Sequence, residues 1–367
     1  PRGCRKTAIR SKLSKQQKMK FDFDDILIQP APISDIESRK QVNVHYDDNY
    51  LPLFTAPMDT VISGESKDFF LKAGIKVIMP RTESLSDVDN TFPDLFRAVG
   101  MDQFEELFIK NRRPGVHHIL IDIANGHMQK LLNLTAESKR IYGNDLILMV
   151  GNVAHPETYQ MFSEAGADFV RIGIGNGGGC LTTVQTGIGY PMASLIHECY
   201  KVSCTLREPA KIVADGGFKS YSDIIKGLAL GADYIMLGSI LNKALESAGE
   251  TYLANSKKEG WTEPGEKINQ YAAETEQLFR YGTKMFKKFR GMSTKEAQKA
   301  MGKTVLKTSE GVTRMQPVEY TVEGWVDNFR SYLSSAMSYT NSTTLGDFIG
   351  NVEWNLISEN SFNRFNN

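Results

Sequence analysis

The chain has 367 residues, no formal net charge, 41% hydrophobic and 23% charged residues. That composition excludes a disordered, collagen-like or fibrous chain, and the charge balance argues against nucleic acid as the main partner. No apolar run approaches the roughly 20 residues a bilayer demands. The four scattered cysteines make no disulfide framework, so a reducing cytoplasm is the simplest setting.

In chain order, residues 1–18 come first, with seven basic residues and no acid. They lack the apolar stretch of a secretory signal and read as a disordered or added basic leader; the other reading is an anchor for RNA or membrane. From about residue 50, short apolar runs alternate with amphipathic stretches. Strands are expected at 51–57, 74–80, 117–124, 145–152, 168–175, 211–217, 233–239 and, less clearly, 284–292. These runs are apolar at consecutive positions, the pattern of parallel strands covered on both faces. Between them, "PETYQMFSEAGA" and "SYSDIIKGLALGA" have helical spacing and end in the glycine that caps a helix. Eight such units predict an α/β protein with a (β/α)8 TIM barrel over residues 19–349, a flap at about 293–320 and an Asn-rich tail at 350–367.

Barrel chemistry sits at the C-terminal ends of the strands. Here those ends are rich in Gly, Asp and Asn and include one Cys. "ADGG" and "LGS", after the sixth and seventh expected strands, place Gly216, Gly217, Gly238 and Ser239 where backbone N–H groups cradle a phosphate. Paired glycines also serve plain tight turns. Asp215 just inside the mouth suits the two hydroxyls of a ribose, or equally a helix N-cap. The stretch "RIGIGNGGGCLTTVQTGIGYP" formally contains G-x-G-x-x-G, but no helix follows at once and no βαβ unit opens, so a dinucleotide fingerprint is rejected. A lone Cys is ordinarily a small core residue. Cys180, flanked by glycines and threonines, instead suits an exposed nucleophile near backbone N–H groups.

Several ordered motifs now resemble one known family. "FDFDDILIQP", "APMDTV", "DIANGH", "GIGNGGGCLTT", "ADGG", "IMLGS" and "FRGMS" resemble the IMP dehydrogenase/GMP reductase family from about residue 20 to 349. The reductase branch is the better match. Only 32 residues separate Ser84 from His117, so the regulatory insert usual in dehydrogenases is missing. The flap is short, with 17 residues between Met292 and Glu310, and lacks the Arg-Tyr pair by which dehydrogenases activate water.

The resemblance implies reductive deamination of GMP to IMP and ammonia by NADPH, through a covalent Cys180 intermediate, with Thr182 and Glu310 as the proton relay. It implies nucleotide contacts from Met58, Asp215, Gly216, Gly217, Gly238, Ser239, Gly291, Met292, Ser293, Lys307, Ser309 and Gly311. Cofactor contacts would come from Arg81, Asp122, Asn125 and Gly126. A monovalent cation, K+, on the carbonyls of Gly175, Gly177 and Cys180 is implied too, as is a homotetramer.

The chain also departs from the family. Arg81 stands where reductases carry a Lys able to give up a proton, which Arg cannot. Gly177–Gly179 replace bulkier residues, and from this a more mobile loop and an altered base pocket are expected. Three rivals remain at this stage: IMP oxidation with NAD, a flavin-dependent barrel oxidoreductase sharing the phosphate motifs, and a catalytically silent nucleotide-binding homologue.

Overall fold

The computed structural model describes residues 19–365, apart from 48, 84–94, 256–259, 261–262, 303–304, 306–307 and 309–310. Eight parallel strands form one sheet: β1 (Leu53–Thr55), β2 (Ile78–Met79), β3 (Phe96–Val99), β4 (His117–Asp122), β5 (Leu146–Val153), β6 (Phe169–Ile172), β7 (Lys211–Asp215) and β8 (Tyr234–Leu237). Each pairs with its neighbour in sequence, and β8 pairs with β1. The circle closes between β1 and β2 through Lys76, whose N–H donates to Leu53 O (3.1 Å) and whose carbonyl accepts the Thr55 N–H (2.9 Å). This is the expected TIM barrel.

One expected strand needs correction and one strand was not expected. The run at 284–292 does not complete the barrel. Met285–Arg290 (β11) lies in a separate antiparallel sheet with β9 (Thr251–Ala254), β10 (Pro264–Ile268) and β12 (Thr313–Pro317), in the order β10–β9–β11–β12. Burial along β11 mostly alternates, as in an antiparallel strand with one covered face. The barrel strand that reading lacked is β3, whose four residues "FRAV" include a buried Arg97 and so present no apolar run. One consequence reaches the site: "ADGG" and "LGS" follow strands seven and eight, the pair of loops that most often holds phosphate in such barrels.

The barrel is filled, not open. Phe54, Phe96, Phe169 and Tyr234 meet inside it, with Phe54 and Phe96 edge to face at 5.6 Å and Phe54 and Tyr234 at 4.9 Å between ring centres. The helices cover the outside by the expected signals. Tyr221–Ala229 starts with a Ser220–Asp223 capping box, and the turn after it passes through Gly231 at φ 115°. Among the described residues, no helix is long and apolar enough to cross a membrane. Cys180 and Cys199 are free thiols and Cys204 is disulfide-bonded, a bridge that the cysteine spacing did not suggest.

The two ends of the described chain meet. Ile26–Ile28 pairs antiparallel with Trp354–Leu356, and Trp354 packs on Phe21 and on the edge of His197 (5.1 Å). Burial, then the charge of Lys201, push the His197 pKa down to about 4. The folded state thus refuses a proton that the unfolded chain takes up below pH 6.5. The stability this residue allows is complete above that pH and is lost as pH falls from 6.5 towards 4, by up to about 3 kcal/mol. Melting curves of wild type and His197→Gln over pH 4–7 should therefore diverge, the variant keeping the flatter profile; parallel profiles would refute the assignment.

Candidate active site

Four strand ends converge on one charged cluster at the mouth. Arg171, the third residue of β6, is buried; its Nη1 donates to Asp122 Oδ1 at the end of β4 (2.6 Å) and its Nε to Asp215 Oδ2 at the end of β7 (3.0 Å). Asn152 of β5 donates to the same Asp215 oxygen (2.8 Å). Burial opposes the charge on Arg171, but the two carboxylates more than offset it and hold its pKa above the ordinary value. Two carboxylates around one guanidinium leave the cluster one unit negative. Because Arg171 and Asn152 share Oδ2, Asp215 Oδ1 takes no hydrogen bond among the described residues. That oxygen is a ready acceptor for ligand hydroxyls.

The glycine loop after β6 folds back over this mouth. Cys180 is partly exposed, with its Sγ 3.2 Å from Thr182 Oγ1 and its N–H bonded to Gly177 O (2.9 Å). On its far side the loop pairs with the flap: Val312 N–H donates to Gly179 O (3.1 Å), and Cys180 bridges Gly311. The three glycines have distinct neighbours. A Cβ on Gly178 would lie 3.5 Å from Arg314 Nη2, and one on Gly179 would lie 2.8 Å from the Phe289 ring. Gly177 in turn sits against Gly216, where a Cβ would come within 2.7 Å of its N. The run of small residues is therefore matched by bulk on the flap sheet, a reason for it that sequence reading did not foresee.

Gly216 and Gly217 adopt φ of 89° and 90°, a region closed to other residues without strain. Gly238 lies over Met58, with a Cβ there only 3.1 Å from Sδ, and Ser239 opens the short helix Ser239–Asn242. Gly291 packs against the carbonyl of Gly179, and Met292 and Ser293 continue from it, half-buried. Met58, Asp215, Gly216, Gly217, Gly238, Ser239, Gly291 and Gly311 are thus gathered around Cys180 and Thr182. Lys307, Ser309 and Glu310 lie outside the described residues.

The flap sheet is tied to the barrel by ions. Arg290 pairs with Asp59, next to Met58, and with Glu296 (3.2 Å). On the opposite rim, Arg81 rests over Gly100 at the end of β3 and reaches the Asp122 carbonyl (3.5 Å). Asn125 accepts the His127 N–H (3.1 Å), and Gly126 donates to Asn152 O (2.7 Å), an approach a side chain would obstruct. The mouth therefore has a glycine-rich end at β7–β8 and a second rim at β2–β4, with Cys180 and the charged cluster as the other described features of the mouth.

The IMP dehydrogenase / GMP reductase domain profile matches residues 97–261, a span that holds Asp122, Arg171, Cys180, Asp215 and Ser239. GMP reductase 2 of Bos taurus is 28% identical over 85% of this chain and 88% of its own length. GMP reductase 2 of Homo sapiens is 28% identical over 89% and 91%, and the GMP reductase of Shigella boydii serotype 18 is 26% identical over 96% and 99%. Over these spans the chain is similar to the IMP dehydrogenase/GMP reductase family.

At this mouth, sequence reading passed over Arg171, Asn152, Phe289 and Arg314. Arg171 did carry a signal, since an arginine inside the apolar run "DFVRIGIG" must be paired where it is buried. Asn152 and Arg314 carried none, because their partners lie 63 and 136 residues away.

Proposed function

We propose that the protein is a GMP reductase: it converts GMP to IMP and ammonia at the expense of NADPH. The observation that carries this reading is the Cys180–Thr182 pair, 3.2 Å apart, set between the phosphate-type loops and the Asp122–Arg171–Asp215 cluster. A thiol in hydrogen-bond reach of a hydroxyl, within a loop of exposed backbone, is equipped for nucleophilic attack and for moving a proton.

The phosphate would rest on Gly216, Gly217, Gly238 and Ser239, and the ribose hydroxyls on Asp215 Oδ1. Cys180 as thiolate forms a bond to C2 of the purine. The 2-amino group leaves as ammonia once it has gained a proton through Thr182 and Glu310. NADPH, when bound, supplies the hydride that C2 then receives. The C–S bond breaks, the thiolate returns and IMP departs. Arg81, Asp122, Asn125 and Gly126 would hold the cofactor: a rim with a guanidinium, a carboxylate and the exposed Asn125 amide suits hydroxyls and phosphates. The carbonyls of Gly175, Gly177 and Cys180 would hold a monovalent cation. The Gly177 oxygen already accepts the Cys180 N–H and keeps a second lone pair for the ion. A homotetramer in the cytoplasm completes the reading.

NADPH absorbance with purified protein tests it. Loss of absorbance that needs GMP and is matched by released ammonia is the expected result. Activity with IMP and NAD alone would replace this reading by the dehydrogenase one, and silence with both would reject turnover of either nucleotide.

A further inference from the structure

We propose that Arg314 meets the nucleotide's phosphate, and so makes the protein select a monophosphate over the bare nucleoside. The inference rests on the purine-nucleotide reading above and adds a residue to it.

A nucleoside monophosphate brings close to two negative charges into this mouth. The glycine loops and Ser239 offer N–H and O–H donors but no positive charge, and the Asp122–Arg171–Asp215 cluster is itself negative on balance. Arg314 supplies what is missing. A single point, the place a Cβ on Gly178 would occupy, is 3.5 Å from Arg314 Nη2 and 3.7 Å from Ser239 Oγ. The guanidinium and the hydroxyl thus flank one small space beside the expected phosphate loops, and it stays open because residue 178 has no side chain. An oxyanion there would take donors from both, and a guanidinium fits phosphate in a two-pronged way.

The surroundings hold Arg314 towards that space. It lies opposite Phe289 across β11 and β12, with its guanidinium 5.0 Å over the ring, and Phe289 is itself packed on Gly179. Two positions along β12 on the same face, the buried Gln316 accepts from Arg314 Nη2 (3.5 Å) and donates to Ser239 O (3.0 Å) and to Asn242 Oδ1. One amide therefore links the arginine to the helix whose first residue is Ser239. The bonds Arg314 makes are long, 3.4 Å to Gly178 O and 3.5 Å to Gln316, and no carboxylate among the described residues pairs with it. Its charge is uncommitted on a surface where a dianion needs one.

Calorimetric binding of GMP, IMP and guanosine to wild type, Arg314→Met and Arg314→Lys tests the assignment. Arg314→Met should weaken GMP and IMP by about 10- to 100-fold, the scale of a hydrogen bond to a charged group. Guanosine should change less than about 2-fold on the same scale, since it offers no charge to the arginine. Arg314→Lys should recover most of the loss, and turnover at saturating GMP should stay within a few-fold while KM rises. Equal weakening of GMP and guanosine would mean a shape role and overturn the proposal, as would unchanged GMP binding or a loss confined to NADPH. If wild type binds neither GMP nor IMP, the functional reading itself falls and takes this one with it. Nucleotide binding that survives in Arg314→Met unchanged refutes this inference alone.

Discussion

Cys180→Ala should lose GMP-dependent NADPH oxidation by at least about a thousand-fold and yet bind GMP within a few-fold of wild type. The first half follows from the chemistry: without the sulfur there is no bond to C2, and water cannot take its place at a carbon that must later receive a hydride. The second half follows from the geometry. The loops proposed to hold the phosphate follow β7 and β8, and the flap meets the Cys loop through backbone groups, Val312 N–H on Gly179 O, which alanine retains. Fold and binding surface are therefore independent of the thiol. Parallel stopped-flow and equilibrium binding measurements decide the matter. Undiminished turnover would end the covalent mechanism, and loss of GMP binding would show that Cys180 has a packing role.

The second large effect is expected at Arg171. Arg171→Met is close in volume but removes the one cation between Asp122 and Asp215, each of which sits within 3.0 Å of it. Deleting one partner of a buried ionic cluster strands the others, at a cost of about 3–5 kcal/mol. The two remaining carboxylates are left close to each other with no cation between them, and their like charges repel. The variant should thus melt well below wild type at pH 7. Adding Asp215→Asn should restore stability without restoring nucleotide binding. Thermal melts of the single and double variants check this, and a double variant no more stable than Arg171→Met would mean that lost packing, not charge, is what Arg171 contributes.

How much of this could be read without coordinates follows from the kind of signal each feature leaves. Long parallel strands such as β5 are buried on both faces and declare themselves as apolar runs. β3 is four residues long with an arginine in it, and its place is fixed by neighbours β2 and β4, not by its own letters. β11 looked like a barrel strand; "MFKKFR" carries two lysines, Lys287 fully buried and Lys288 partly exposed, so its letters do not show which face is covered. At the site, Cys180, Thr182, Asp215 and the paired glycines were legible because nucleophiles, carboxylates and positive φ each restrict residue type. The meaning of Gly177–Gly179 was not. Glycine records only that something else needs the room, and Phe289 and Arg314 enter that room from more than a hundred positions further along the chain.

The closure of the barrel has a consequence for its motions. Where β4 and β5 share a ladder six residues long, β1 and β2 are joined by the two backbone bonds at Lys76 and by the Thr55 hydroxyl, which accepts the Ile78 N–H (3.0 Å). That seam is the thinnest part of the cylinder, so its amides should exchange with deuterated solvent through small local openings while the β4–β5 amides wait for far larger ones. The seam also ends between Met58 and Arg81, one on the rim proposed for the nucleotide and the other on the rim proposed for the cofactor. Openings at this seam would part the two rims and leave the aromatic plug below, Phe54, Phe96, Phe169 and Tyr234, in place.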